Sequence, residues 1–173
     1  IGRLVGEKGA DLFPEIFKEA LAENNISILL LGSGYEKIEE ALTSISQENF
    51  NKFIGYDEKL AHIMYAGADF LLMPSRVEPC GLNQMYSLRY GTVPIVNAIG
   101  GLKDTIIDIT KENGFGVVHH GVTIEKVTSA ITKASIYFNQ KEFRKNLKKM
   151  MQIDHSWGNS AQAYVNLYKS LKN

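Results

Sequence analysis

Short apolar runs and helical patterns alternate along this chain from end to end, and that alternation limits its fold more than any other feature does. Strand-like runs lie at 26–31, 51–54, 70–73, 92–96 and 115–118. Glycine- or proline-bearing loops follow them, and most loops lead into apolar residues at helical spacing. Strands joined through helices pair in parallel by crossover connections, so the fold class expected is α/β, a doubly wound, Rossmann-like parallel sheet. In such sheets ligands collect in the loops after the carboxyl ends of the strands.

The stretch 69–91 organises the rest. Its apolar run, Phe70 to Met73, breaks at Pro74 and Pro79, and Gly81 opens a helical spacing of Leu82, Met85, Tyr86 and Leu88. Strand, polar loop and helix start make an anion site. The free N–H groups of the first turn, about Gly81 to Gln84, and the positive end of the helix dipole face the loop. Glu78 stands at its mouth. A carboxylate there repels phosphate, so the expected partner is a neutral donor beside the phosphate, such as a sugar hydroxyl. The residues by themselves describe a pocket for a phosphorylated, hydroxyl-bearing ligand.

Other loops add candidates. Arg3 and Lys8 are either two solvated surface charges or, with Gly6 and Gly9 letting the loop fold tightly, two cations turned toward an anion. Tyr56, after a strand end, is either a stacking platform for a base or a ring packed at a loop edge. Gly100 and Gly101 are expected to present N–H groups to an anion. Gly32-Ser-Gly34 lacks the third glycine of a dinucleotide fingerprint, Lys37 standing in its place, and reads as a tight turn. His119 and His120 are neighbours on an extended backbone and point to opposite faces, so no metal site is expected there.

The remaining patterns read as scaffold. Asp11 is expected to cap a helix with Leu12, Phe13, Ile16, Phe17, Ala20 and Leu21 inward. Tyr35, Ile38, Leu42 and Ile45 mark the next apolar face. Thr123 is expected to cap a helix burying Ile124, Val127, Ile131, Ala134 and Phe138; Phe143, Leu147 and Met150 mark another. Ser156 is expected to cap a closing helix with Trp157, Ala161, Tyr164, Tyr168 and Leu171 on one stripe.

Composition removes several classes. Lysine plus arginine equals aspartate plus glutamate at 19 each, so no basic excess points to nucleic acid or an anionic membrane. No apolar run approaches the roughly 20 residues of a membrane span. Cys80 is the single cysteine, which excludes an internal disulfide and fits a reducing compartment. Lipase-type serine, phosphate-loop and zinc motifs are missing. With 173 residues and 45% apolar content, one domain spanning 1–173 is expected. The first residue is Ile1 and not methionine, and the chain is expected to be a fragment of a larger protein.

Ser75-Arg-Val-Glu-Pro-Cys-Gly-Leu82, Tyr86-Ser-Leu-Arg-Tyr-Gly91, Pro94 and Gly100-Gly-Leu-Lys-Asp-Thr105 closely resemble the sugar-nucleotide-binding domain of glycogen and starch synthases, retaining glycosyltransferases of the GT-B architecture. These synthases carry an Arg-Leu-x-x-x-Lys-Gly loop after the first strand of that domain, which Arg3, Leu4, Lys8 and Gly9 fill. Gly55-Tyr-Asp-Glu58 is similar to the segment whose tyrosine packs on adenine, which gives Tyr56 that role. The resemblance implies transfer of glucose from ADP-glucose, or UDP-glucose, to the non-reducing end of an α-1,4-glucan acceptor with anomeric configuration retained. It gives Arg3 and Lys8 the leaving diphosphate and Glu78 the donor sugar's hydroxyl. It places Cys80, Gly81 and Leu82 in the turn at sugar and phosphate, with Asn83 standing where threonine is usual. No metal or other cofactor is implied.

The resemblance covers the second half of such an enzyme. The acceptor would come with an N-terminal GT-B domain of the same protein, so the chain alone is expected to bind nucleotide weakly and transfer no glucose. The cytoplasm is the expected location, or a plastid in a plant. Three other readings stay open. In a sucrose-synthase-like GT-B enzyme a second glutamate would stand where Tyr86 does; a glycan phosphorylase would carry a pyridoxal phosphate lysine motif; a non-catalytic nucleotide-sugar-binding module would have little use for both Arg3 and Lys8.

Overall fold

The computed structural model describes residues 1–171. Five strands alternate with eight helices: α1 (Phe13–Glu23), β1 (Ile28–Gly32), α2 (Glu36–Thr43), β2 (Phe50–Ile54), α3 (Glu58–Gly67), β3 (Phe70–Met73), α4 (Asn83–Tyr90), β4 (Val93–Asn97), α5 (Gly100–Thr105), β5 (Val117–His119), α6 (Ile124–Phe138), α7 (Lys141–Met150) and α8 (Trp157–Ser170). All ladders are parallel, as the alternation predicts. They form two pieces, β1–β2 and β3–β4–β5.

Residues 2–9 lie between the two pieces. Gly2 and Leu4 donate to the Leu31 and Ser33 carbonyls at the end of β1, while the Glu7 carbonyl accepts from Arg76 and Val77 just after β3. From this segment the chain winds to β1 and β2 on one side and to β3, β4 and β5 on the other. The order therefore reverses here, and such a reversal opens a crevice at the strand ends.

Helices cover both faces of the sheet. One core joins Leu4, Ile16, Phe17, Leu30, Leu42, Phe50, Val127 and Ile131; the other joins Tyr65, Leu71, Met73, Leu88, Val96, Leu102, Phe143 and Met150. Every residue of β4 is buried, as expected of a central parallel strand. Thr123 caps α6 as predicted, accepting from the Lys126 N–H at 3.3 Å.

Several expectations are corrected. Asp11 is not a cap: Leu12 precedes α1, and the Asp11 carboxylate pairs with Arg76. Tyr35 is exposed ahead of α2, which ends before Ile45. Tyr137, not Phe138, is the buried aromatic of α6, because Phe138 lies one position beyond the inward stripe, where its half-exposed ring packs against those of Phe70 and Phe143. Ser156 precedes α8 without a side-chain capping bond. No residue of α8 is buried, so its Trp157, Tyr164, Tyr168 and Leu171 stripe faces no part of this fold.

Asp108 ties the edge strand to α6. Burial pushes its carboxyl up, but the Thr110 hydroxyl and N–H, the Val118 N–H and Lys133 outweigh burial and hold it at about 2, against an ordinary 3.8. A carboxyl depressed in the fold stabilises it above the unfolded value, and the contribution is lost as pH falls from about 4 to 2. A shift of this size is worth roughly 2 kcal/mol. Urea denaturation should show the parent losing about that much more stability between pH 5 and pH 2 than Asp108→Asn; parallel pH profiles would contradict this.

Candidate functional site

The rim at the carboxyl ends of the strands is stitched by bonds between loops distant in sequence. Gly55 donates to the Gly32 carbonyl at 2.9 Å, which sets the Tyr56 loop beside the end of β1. Residues 2–9 follow, then the 74–81 loop after β3. Gly101 donates to the Glu78 carbonyl at 3.1 Å, which adds the end of β4. Asn97 locks the far side, donating to the Ser75 carbonyl at 2.8 Å and accepting from Gly121 at 2.9 Å.

The central contact is an ion pair between the Lys8 ammonium and the Glu78 carboxylate, 70 positions apart. Glu78 is buried and also accepts from the Ser75 hydroxyl at 3.3 Å. Lys8 is partly exposed and reaches it from a short 3-10 turn, Gly6–Lys8, closed by Gly9 at φ 73. Close approach demands that glycine: a Cβ at position 9 would lie 2.5 Å from the Pro74 carbonyl oxygen. Buried charge is tolerable only when paired, and the pair satisfies both groups.

Arg3 belongs to the same segment. It is exposed and makes no side-chain hydrogen bond or ion pair among the described residues. Ile1, two residues earlier, accepts from the Asn83 amide at 3.0 Å, so the start of this segment lies against the amino end of α4. Asn83, standing where threonine is usual in the synthases, thus uses its amide to hold Ile1 against that helix. Tyr56 is 86% exposed, with its ring free of the core. The structure therefore brings Lys8 and Glu78 together, leaves Arg3 exposed on the segment that carries Lys8, and puts Tyr56 on the rim beside the end of β1.

The helical spacing of Leu82, Met85, Tyr86 and Leu88 marks α4 as expected, and the residues that α4 buries are Gln84, Ser87 and Leu88. Leu82 and Tyr86 are 59% and 44% exposed. The helix starts at Asn83, after Gly81 in the left-handed region at φ 77, and the fully buried Gln84 donates to the Cys80 and Gly81 carbonyls at 3.0 and 3.1 Å. A buried glutamine fixing a turn is invisible to an apolar-periodicity argument.

The paired glycines also act differently from expectation. The Gly101 N–H is engaged by the Glu78 carbonyl and is not offered to an anion. A Cβ at Gly100 or Gly101 would lie 2.1 Å from the Glu78 oxygen or 2.0 Å from the Cys80 oxygen, so both glycines let α5 press against the 78–80 loop. Cys80, Gly81 and Leu82 follow in the turn before α4, with Cys80 exposed.

A cleft of about 600 Å³ lies elsewhere, lined by Thr110, Lys133, Gln140 and Asn146 and by none of the candidate residues. Charge convergence and the strand-order reversal favour the rim over cleft size. No helix of the described residues is long and apolar enough to cross a membrane.

The family described as "Glycosyl transferases group 1" matches residues 1–152. A glycogen synthase of Flavobacterium johnsoniae is 48% identical over 174 residues, covering 97% of this chain and 37% of the relative. A glycogen synthase of Thioalkalivibrio sulfidiphilus is 40% identical over 180 residues, covering 99% of this chain and again 37% of the relative. Among solved structures, the catalytic domain of starch synthase IV from Arabidopsis thaliana, bound to ADP and acarbose, superposes with a TM-score of 0.87 at 32% identity, over 98% of this chain and 37% of that one. The chain thus spans little more than a third of the length of these relatives.

Proposed function

This chain belongs to the group 1 glycosyl transferases, and from that premise we propose that residues 1–173 form the nucleotide-sugar-binding domain of a two-domain glycogen or starch synthase. The reaction is transfer of glucose from ADP-glucose, with UDP-glucose the second donor candidate, to an α-1,4-glucan with retention. The meeting of Lys8 and Glu78 carries this assignment. A donor's distal phosphate and its sugar are covalent neighbours, so a cation for one and a carboxylate for the other must themselves be neighbours. When such a donor enters, Lys8 exchanges Glu78 for a phosphate oxygen and Glu78 exchanges Lys8 for a sugar hydroxyl, and neither charge is left without a partner.

Negative charge grows on the distal phosphate as the glycosidic bond breaks. Lys8, Arg3 and the first-turn N–H groups of α4 then bind the departing diphosphate more strongly than the intact donor, which lowers the barrier. Glu78 fixes the sugar, Gly81 with its left-handed backbone lets the phosphate approach the turn, and Tyr56 takes the adenine on its exposed ring. Cys80, Leu82 and Gly100 complete the wall.

The acceptor glucan arrives on an N-terminal domain of the same protein. The unburied stripe of α8 supports this, since Trp157, Tyr164 and Tyr168 are what a helix laid on a second domain would present. The site of action is the cytoplasm, or a plastid in a plant.

Calorimetric titration of the 173-residue chain tests the donor assignment. ADP-glucose should bind more tightly than UDP-glucose. Glu78→Ala should weaken ADP-glucose about tenfold and leave ADP no weaker, because only the sugar loses a charged hydrogen-bond partner. Arg3→Ala should weaken both. Equal ADP-glucose affinity in the parent and Glu78→Ala would remove the role given to Glu78, and glucosyl transfer by the chain alone would refute the two-domain requirement.

A further inference from the structure

We infer that Arg76, clamped on Asp11, is a positioning residue for Lys8: it sets the distance between the cation loop and the carboxylate loop. This inference rests on the donor-site reading above and assigns Arg76 no contact with the donor. Its guanidinium holds the Asp11 carboxylate with both nitrogens, Nη1 to Oδ1 at 2.5 Å and Nη2 to Oδ2 at 3.0 Å, across 65 positions. The same Nη1 donates to the Gly6 carbonyl at 2.5 Å. Gly6 lies two residues before Lys8 and Asp11 three after, so one planar fork grips both ends of the turn that carries Lys8.

The other end of Arg76 is equally fixed. Its backbone N–H and that of Val77 donate to the Glu7 carbonyl at 2.8 and 3.2 Å. Glu78 is the next residue. Arg76 is therefore bonded on both sides of Lys8 while sitting two residues from the carboxylate that Lys8 meets. The Arg76 hydrogen bond holds the Asp11 carboxyl below its usual range, so the pair is ionised at neutral pH.

Both members are more than a third exposed, and an exposed pair adds little to global stability. Its geometry matters more, because groups that stabilise developing charge lose most of their effect when displaced by about 1 Å. No local sequence pattern assigns Asp11 or Arg76 this part. A carboxylate at Asp11 beside an anion site also runs against simple charge attraction, unless its task is to hold the arginine.

The test is ADP and AMP binding to the 173-residue chain by calorimetry, comparing parent, Asp11→Asn, Arg76→Lys, Arg76→Gln, Lys8→Ala and the Lys8→Ala/Arg76→Gln double variant. Asp11→Asn removes a negative charge near a phosphate site, so electrostatics alone would tighten ADP; positioning requires ADP to weaken, by roughly five- to twentyfold. AMP, which lacks the distal phosphate, should change less than twofold in every variant. Arg76→Lys, which keeps the charge and loses the fork, should fall between parent and Arg76→Gln. In the Lys8→Ala background Arg76→Gln should have no further effect.

Tighter or unchanged ADP binding by Asp11→Asn would overturn the inference. So would an Arg76→Gln effect that persists without Lys8, since Arg76 would then act on the phosphate directly. Equal loss of ADP and AMP with a lowered melting temperature would make the pair merely structural, which also overturns it. If Lys8→Ala itself leaves ADP binding unchanged, the donor-site reading fails, and that result is distinct from all of these.

Discussion

Lys8→Ala should lower kcat for glucosyl transfer by the two-domain protein about 10²- to 10³-fold, with a smaller change in donor KM. Removing one preorganised charge partner of a transition state has an effect of that order, and the split follows because the ammonium binds the departing diphosphate better than the intact donor. Stability should fall as well. Glu78 is buried and would keep only the Ser75 hydroxyl at 3.3 Å. Removing one partner of a buried ion pair costs about 3–5 kcal/mol, and the partial exposure of Lys8 puts this pair toward the lower end of that range. Adding Glu78→Gln to Lys8→Ala should restore stability without restoring activity. Steady-state kinetics beside urea denaturation at pH 7 separates the two effects, and a kcat within a few fold of the parent would end the proposed role of Lys8.

Gly101→Ala should destabilise the fold by more than about 3 kcal/mol and weaken donor binding at the same time. The added Cβ would lie 2.0, 2.5 and 2.6 Å from the O, C and Cα atoms of Cys80, all backbone, so no side chain can turn aside. Overpacking a core against movable side chains usually costs about 1–3 kcal/mol, and a rigid neighbour raises that. The 78–80 loop must shift, and Glu78 moves with it because its carbonyl accepts the Gly101 N–H. Gly67→Ala is the control: nothing lies within 4 Å of its Cβ, and α3 should tolerate it. Thermal unfolding and ADP-glucose titration of both variants check this. A Gly101→Ala protein that melts with the parent would show that α5 does not press on the loop.

Much of the architecture was legible because it is local. The apolar strand from Phe70 to Met73, the cap at Thr123 and the helix start after Gly81 each depend on a few neighbours along the chain, and those neighbours are printed in order. Glu78 follows from its place in the loop after β3, Arg3 and Lys8 are left open by the residues and gain their part from the resemblance of their loop to one family, and the fold sets Lys8 against Glu78. Gln84 is buried by its hydrogen bonds to Cys80 and Gly81, which no periodicity argument finds because it counts glutamine as solvent-facing. Asp11 was misread as a cap because aspartate before a helix normally is one, and its real partner stands 65 positions away. Gly101 is expected to offer its N–H to an anion, and the Glu78 carbonyl from a distant loop takes it instead.

By itself the sequence determined the alternation of parallel strands with helices, the loops that bear chemistry and the family, since period, turn residues and motif spacing are properties of the chain taken one stretch at a time. Tertiary structure alone decided which loops touch. The Lys8–Glu78 pair, the Arg76 clamp on Asp11 and the close approach at Gly101 exist because the strand order reverses at residues 2–9 and carries segments about 70 positions apart to one rim. Charges find partners through space, and no local pattern records which partner that will be.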